Sequence, residues 1–565
     1  RAADEARAKS LRALHVALLS GALAAAVALP SVRNDFVEDD VWVVAQRPIL
    51  HHPPSLSALL LEPYWPRTFG GRLWRPAVLA SWALDYRLSE SPHWFHAVNV
   101  LWAALAAAAL GLLAASLTDA RIGLAAGLLF AVHPVHVEAT AGVVGRAELM
   151  AATGYAIALL CALRAGRQRW WLVGVTLGSA LSIASKEHAA TLPMAIVLVL
   201  LVRKESWRAM IAAAVSAALP IAIYFALRSR VTGGVLGTGG LAPGLEGLTA
   251  PERAWAMLGI SAEWWRLLMF PVRLSADYST AQLPVSTGIT LRHVVAVVLW
   301  AGAGWAAWRT RRTAPGVALG LAWLALTLVP VSNVLVPTEI VLAERTLFLP
   351  SWGAMLALAC GIMLLPAPAA RPTVLAAVLV LGAARSIART GAWRDVDHWY
   401  AALQRDAPLS YRTLWMRGDE AFEQRQWGTG ERLLRASMAA APGLPGPAED
   451  LARFYAAARL FPQAETLLRH SMELNRARSR PWILLEDLQL VSGDTAAAVR
   501  SAEESVRRFP DDPDVLVGTL NALLEARRCD LFRARLAAPH AALLPAADSS
   551  ARAHAMSCES WRPGR

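Results

Sequence analysis

The sequence predicts an all-α chain in two parts: a polytopic helical membrane domain over residues 1–390 and an α-solenoid over 391–565. Three observations lead to that division. Hydrophobic residues make up 56% of the chain against 17% charged. Up to about residue 390 they come in runs, such as 97–117 and 347–365, long enough to cross a bilayer core as helices. Beyond that point charge returns at amphipathic spacing, and pairs of helices recur about every 34 residues.

About eleven spans are predicted, at 11–30, 95–117, 121–138, 147–164, 170–185, 188–202, 208–227, 289–308, 315–331, 346–365 and 372–389. The first is flanked by Arg7, Lys9 and Arg12 and lacks a small-residue cleavage site, so it reads as a retained anchor. Arg164-Ala165-Gly166-Arg167-Gln168-Arg169, Arg203-Lys204 with Arg208, and Arg309-Thr310-Arg311-Arg312 are expected on the cytoplasmic side. They fall there together if the chain enters from the cytoplasm and 254–272 does not span. That segment carries Glu263, Arg266 and Trp264-Trp265, which suits a helix lying in the interface.

The same parity puts the loop 31–94, residues 133–138 and 185–188, the loops 229–253 and 330–345, and the solenoid on the outer side of an inner membrane. The formal charge of +12 is thus carried in membrane loops. Without a basic patch interleaved with aromatics, nucleic acid is excluded as a partner. The outer loop 31–94 is too long for a plain connector, and 75–86 has helical spacing. The glycine-rich stretch 229–248 is either a moving cover or flexible filler. Cys161 and Cys360 sit inside apolar runs. Cys529 and Cys558 form a disulfide or stay thiols according to the compartment.

In the second part Pro408 and Pro442 are one period apart and Pro510 falls two periods further on. Small residues recur where paired helices must approach (Ala421, Ala456, Ala457, Ala497). A 34-residue period of helix pairs is the tetratricopeptide signature, and stacked units build a concave peptide-binding surface. About three repeats are expected, with a degenerate cap from Val515.

Chemistry is sought where charge meets the bilayer edge, because charges there are costly and tend to serve a shared polar cavity. The first cluster is Asn34-Asp35-Phe36-Val37-Glu38-Asp39-Asp40-Val41-Trp42, just after the first span. Adjacent Asp39 and Asp40 cannot share a helix face, and each raises the other's pKa unless a cation or donor relieves it. The others are His133-Pro134-Val135-His136-Val137-Glu138 with Gly145-Arg146-Ala147-Glu148, then Ser185-Lys186-Glu187, and Glu344-Arg345 opening the tenth span. His133, His136 and Glu138 either bind a metal or orient neighbours by hydrogen bonds. A divalent metal is not favoured, because i, i+3, i+5 is no single helix face, and no cofactor is assigned. Arg345, Arg146 and Lys186 are candidate phosphate clamps. The plain alternative for each is pairing with its neighbour, Glu344, Glu148 or Glu187.

Phe36-Val37-Glu38-Asp39-Asp40, then Leu73-Trp74-Arg75-Pro76-Ala77-Val78, then His96-Ala97-Val98-Asn99, resemble the membrane glycosyltransferases that carry tetratricopeptide repeats. Residues 133–138, 145–150, 185–187 and 343–351 follow in the same order, as does Arg389-Thr390-Gly391-Ala392-Trp393-Arg394-Asp395, the link into the repeats. The resemblance implies the GT-C fold, related to protein O-mannosyltransferases. It also implies a polyprenyl-phosphate sugar donor and a catalytic base in the first outer loop, which falls on Asp39 with Asp40 beside it. One departure is Glu38, where an aromatic or neutral residue is expected.

The resulting expectation is an inverting glycosyltransferase moving a mannose-like hexose from a polyprenyl-phosphate donor to a hydroxyl of an exported polypeptide. Asp39 and Asp40 are its catalytic acids. Arg345, Arg146 and Lys186 bind the donor phosphate, and Glu38, His133, His136, Glu138, Glu148, Glu187 and Glu344 support the cavity. The alternative is a non-catalytic membrane scaffold that presents the repeats for complex assembly.

Overall fold

The computed structural model describes residues 2–71, 73–234, 241–510 and 512–537, with side chains from Leu11 onward. Gly237, Gly239 and Gly240 of the glycine-rich loop, and Cys558, lie outside the described residues. Among those described there are helices and loops and no strands. They form two compact units, one of residues 1–64 and 74–408, the other of Trp65–Leu73 with the chain from Leu409 onward. The helix Val396–Asp406 counts with the first unit.

The first unit is a bundle of apolar helices. Among the described residues seven helices are long and apolar enough to cross a membrane: Leu11–Arg33, Pro92–Leu117, Val143–Ala165, Trp207–Thr232, Leu291–Thr310, Glu344–Met363 and Ala370–Trp393. Ala120–Ala131 with Pro134–Ala141, bent by 53°, makes an eighth if taken as one span. Trp171–Ser185, Glu187–Val202 and Pro315–Val331 are apolar but shorter. The helix Ala250–Met269, expected in the interface, is capped by Thr249 and Glu252 and carries the Arg266–Glu263 pair at 2.6 Å.

Lipid supplies no hydrophobic drive between helices, so close approach comes from small residues. A Cβ on Gly154 would lie 2.7 Å from the Gly178 carbonyl oxygen, and one on Gly320 would lie 2.4 Å from that of Gly353. Both contacts are backbone on backbone. They fix the helices whose ends carry Glu148, Lys186 and Arg345.

The loop 31–94 is ordered by short elements. A π-turn spans Val41–Ala45, a 3-10 turn Arg67–Phe69 and a helix Pro76–Leu88, close to the expected 75–86. Arg47 is buried and donates to the carbonyls of Pro63 and Tyr64 while pairing with Glu62 at 3.0 Å. The start of the loop is tied to the far end of the unit, where the Asp35 amide donates to the Arg394 carbonyl at 2.8 Å.

In the second unit helices pair as Tyr411–Glu423 with Trp427–Ala440, Gly446–Ala457 with Phe461–Leu474, and Arg480–Ser492 with Thr495–Arg508. A fourth pair, Pro513–Glu525 with Cys529–Ala537, stands where the cap was expected. The turn inside each pair holds one residue in the left-handed region: Arg425 (φ 60°), Arg459 (60°), Gly493 (87°) and Arg527 (55°). These four positions keep the 34-residue period without a break. Ser437, Ser471 and Ser505, all fully buried, repeat at the same interval. Gly430, Ala464 and Ala498, all buried, keep the same interval, and Ala421 is buried as well. Cys529 is disulfide-bonded, while Cys161 and Cys360 are buried free thiols.

Candidate active site

The acidic turn separates its two aspartates. Glu38 takes a left-handed backbone (φ 56°), uncommon for a residue with a side chain, and the chain turns sharply there. Asp40 is then driven inward and is 1% exposed. Its carboxyl accepts the amides of Val143 at 2.9 Å and Val144 at 2.7 Å. Burial pushes that carboxyl up to about 7, against the opposing pull of the two amides. Asp39 faces the other way, with its side chain 16% exposed and its Oδ2 3.5 Å from Nη2 of Arg345.

Arg345 is held by the third span. Glu138 accepts its backbone amide through Oε2 at 2.8 Å and pairs with its Nη1 through Oε1 at 3.0 Å. The guanidinium, 20% exposed, therefore bridges Glu138 and Asp39. A second cation lies close by. Lys186, 12% exposed, pairs with buried Glu148, which also meets His188 Nδ1 at 3.4 Å. Glu187 instead binds Arg75 at 3.1 Å and Arg228 at 3.5 Å. Arg75 lies over the Tyr64 ring at 4.6 Å. The charges of Arg75 and Arg345 act on both Tyr64 and Lys186, and Asp39 acts on Tyr64. Asp39, Arg345, Lys186, Glu187, Arg75 and Tyr64 are thus one electrostatic group at one end of the bundle.

The remaining expected residues serve as framework. Arg146 is fully buried, and its donors go to Asn99 at 2.8 Å, Ser81 at 2.8 Å, the Phe95 carbonyl at 2.9 Å and Asp85. It pairs with Asp85 rather than with the Glu148 two residues on. Lys186 likewise pairs with Glu148 rather than Glu187, and Arg345 with Glu138 and Asp39 rather than Glu344. His133 bonds the Leu268 carbonyl at 3.0 Å, and His136 the Ser351 hydroxyl at 2.7 Å. Glu344 accepts the Ser275 amide and the Tyr278 hydroxyl, both at 2.7 Å. Among the described residues no group of three or more His, Cys, Asp or Glu is placed to hold a metal ion.

Arg75, Tyr64 and Arg228 escaped the sequence reading as site residues. Arg75 lay inside the Trp74-Arg75-Pro76 motif, where Pro76 at the first helical position fixes the helix start behind it. Arg228, only 4% exposed, closes an apolar run, and an arginine in that position was the available signal.

A family model described as dolichyl-phosphate-mannose-protein mannosyltransferase matches residues 84–228. The human protein O-mannosyl-transferase TMTC4 is 25% identical over 465 residues, 70% of this chain and 62% of that protein. Mouse TMTC1 is 36% identical over 138 residues, 23% of this chain and 15% of its own length. Drosophila melanogaster Tmtc1 is 35% identical over 178 residues, 30% of this chain and 21% of its own. The chain therefore spans less than two thirds of each of these relatives. The resemblance read from the motifs holds, since all three relatives bear the name protein O-mannosyl-transferase.

Proposed function

We propose that this chain, similar along most of its length to protein O-mannosyltransferases, is a multi-pass membrane glycosyltransferase of the GT-C type. It moves a mannose-like hexose from a polyprenyl-phosphate donor to a hydroxyl of a polypeptide, on the outer side of an inner membrane. The observation that carries this reading is the divergence of the two aspartates. Asp40 is spent on two backbone amides, whereas Asp39 opens onto a cationic group.

The acceptor hydroxyl gives its proton to Asp39 as its oxygen attacks the anomeric carbon. The bond from that carbon to the phosphate oxygen breaks, and its electron pair leaves on the polyprenyl phosphate. Arg345, Lys186 and Arg75 offset the charge that develops there. A single displacement inverts the anomeric centre. Double displacement needs a second acid as nucleophile, and Asp40 is held against amides instead. Arg146 acts in this reading as a positioning residue that pins Asp85 and Asn99 against the acid-bearing loop. The disulfide at Cys529 supports an oxidising compartment for the repeats.

Asp39→Asn is nearly isosteric and removes the base. Turnover should fall by about 10²–10⁴-fold, measured as sugar transfer from a polyprenyl-phosphate hexose to a serine- or threonine-bearing peptide. A monodisperse Asp39→Asn protein with wild-type turnover would sink the assignment.

A further inference from the structure

We infer that the repeat unit carries a receptor site for one aromatic side chain of an extended polypeptide, built from Arg478 and Arg480 and filled here in cis by Phe69. The site is assembled before any ring reaches it. Nε and Nη2 of Arg478 donate to the two oxygens of fully buried Glu449 at 2.7 and 2.8 Å. Arg480 bridges Glu449 at 3.5 Å and Asp450 at 3.1 Å. Asp450 is itself fixed by the Trp415 indole N–H at 2.9 Å. With their edges committed to carboxylates, the planar guanidinium groups offer their faces, and a face is what an aromatic ring stacks on.

The Phe69 ring lies 4.9 Å from Cζ of Arg478 and 6.0 Å from that of Arg480. It closes a 3-10 turn and is followed by Gly70 (φ 97°) and Gly71 (φ 56°), a left-handed pair that reverses the chain and leaves Phe69 at the apex. Its segment, Trp65–Leu73, is bordered in sequence by Tyr64 and by Trp74-Arg75. A solenoid reads side chains of extended polypeptides along its surface. An aromatic residue of an incoming chain is chemically the same ligand as Phe69 and competes for the same two guanidinium faces. This rests on the reading that the repeats receive the acceptor polypeptide, but it is tested by binding and not by transfer.

The experiment uses the full chain in detergent and a fluorescein-labelled decapeptide of Gly and Ser with one central Phe, beside the same peptide with Ala there. By fluorescence anisotropy, Phe69→Ala should bind the Phe peptide about tenfold more tightly than the wild-type chain does. The Ala peptide should bind both chains equally weakly. Adding Arg480→Lys, which keeps the charge and removes the planar face, should cancel the gain. Phe69→Leu keeps most of the apolar bulk and should show a smaller gain of the same kind. Equal affinity of the Phe peptide for wild-type, Phe69→Ala and Phe69→Leu chains overturns the inference. So does a gain shared by the Ala peptide, or one that survives Arg480→Lys. Loss of transfer in Asp39→Asn leaves every arm of this test standing.

Discussion

Arg146 and Arg345 look alike in the sequence, each beside or near a glutamate at the end of an apolar run, yet their surroundings assign them different work. Arg345 keeps a fifth of its side chain exposed and shares its charge between Glu138 and Asp39. Arg146 has no exposed surface and answers a carboxylate from the Pro76–Leu88 helix. Removing one partner of such a buried pair leaves an uncompensated charge, at a cost of about 3–5 kcal/mol. Arg146→Gln should therefore lower the melting midpoint in detergent by a wide margin, with transfer lost along with the fold. A variant that melts like wild type and has lost only donor affinity would restore Arg146 to the phosphate. The acid-bearing turn, Glu138, Lys186 and Arg345 were all legible as polar groups at apolar edges. Their partners were not, because pairing follows the fold: Glu148 serves Lys186, and Asp85 serves Arg146, across dozens of residues.

At the level of single elements, the repeat period is written more firmly in backbone conformation than in the prolines that first revealed it. A residue in the left-handed region closes every helix pair, and only one of the four is glycine. Nothing lies within 4 Å of a Cβ placed on Gly493, so a substitution there feels the backbone alone. Gly493→Ala should destabilise the pair Arg480–Arg508 by about 1 kcal/mol. Faster amide hydrogen exchange confined to that pair is the measurement, and unchanged exchange would refute it.

Glu486 gives the same element a dependence on pH. It is buried, accepts the Ser505 hydroxyl at 2.6 Å on one oxygen, and has no hydrogen-bond partner on the other among the described residues. Burial, with the Asp487 charge adding to it, pushes its carboxyl from 4.5 up to about 8. Between those values the folded state holds a proton that the unfolded chain has released, so stability is greatest below about 4.5 and falls as pH rises towards 8. Wild type should lose more in melting midpoint from pH 5 to pH 8 than Glu486→Gln does. Parallel curves for the two would show that no proton is held there.

For the molecule as a whole, every apolar run read from the sequence lies on a helix, since length and composition suffice to specify a helix in lipid. The bend at Pro134 and the short segments after Trp171 and Pro315 depend on packing, which composition does not record. If the chain is oriented as proposed, protease added to intact spheroplasts should release the repeat unit. A fragment that stays protected until the membrane is lysed would reverse the orientation.

The hydrogen bond from the Asp35 amide to the Arg394 carbonyl has a consequence for how the protein is made. Asp35 leaves the ribosome well before Arg394, which follows only after the last apolar helix of the first unit. Until then the turn bearing Asp39 lacks its backbone tether, and Glu138 has no Arg345 to hold against it. A nascent chain halted before Glu344–Met363 therefore lacks this arrangement, which is completed only when the final helices of the first unit are made. Insertion order thus sets the moment at which Asp39, Glu138 and Arg345 can come together.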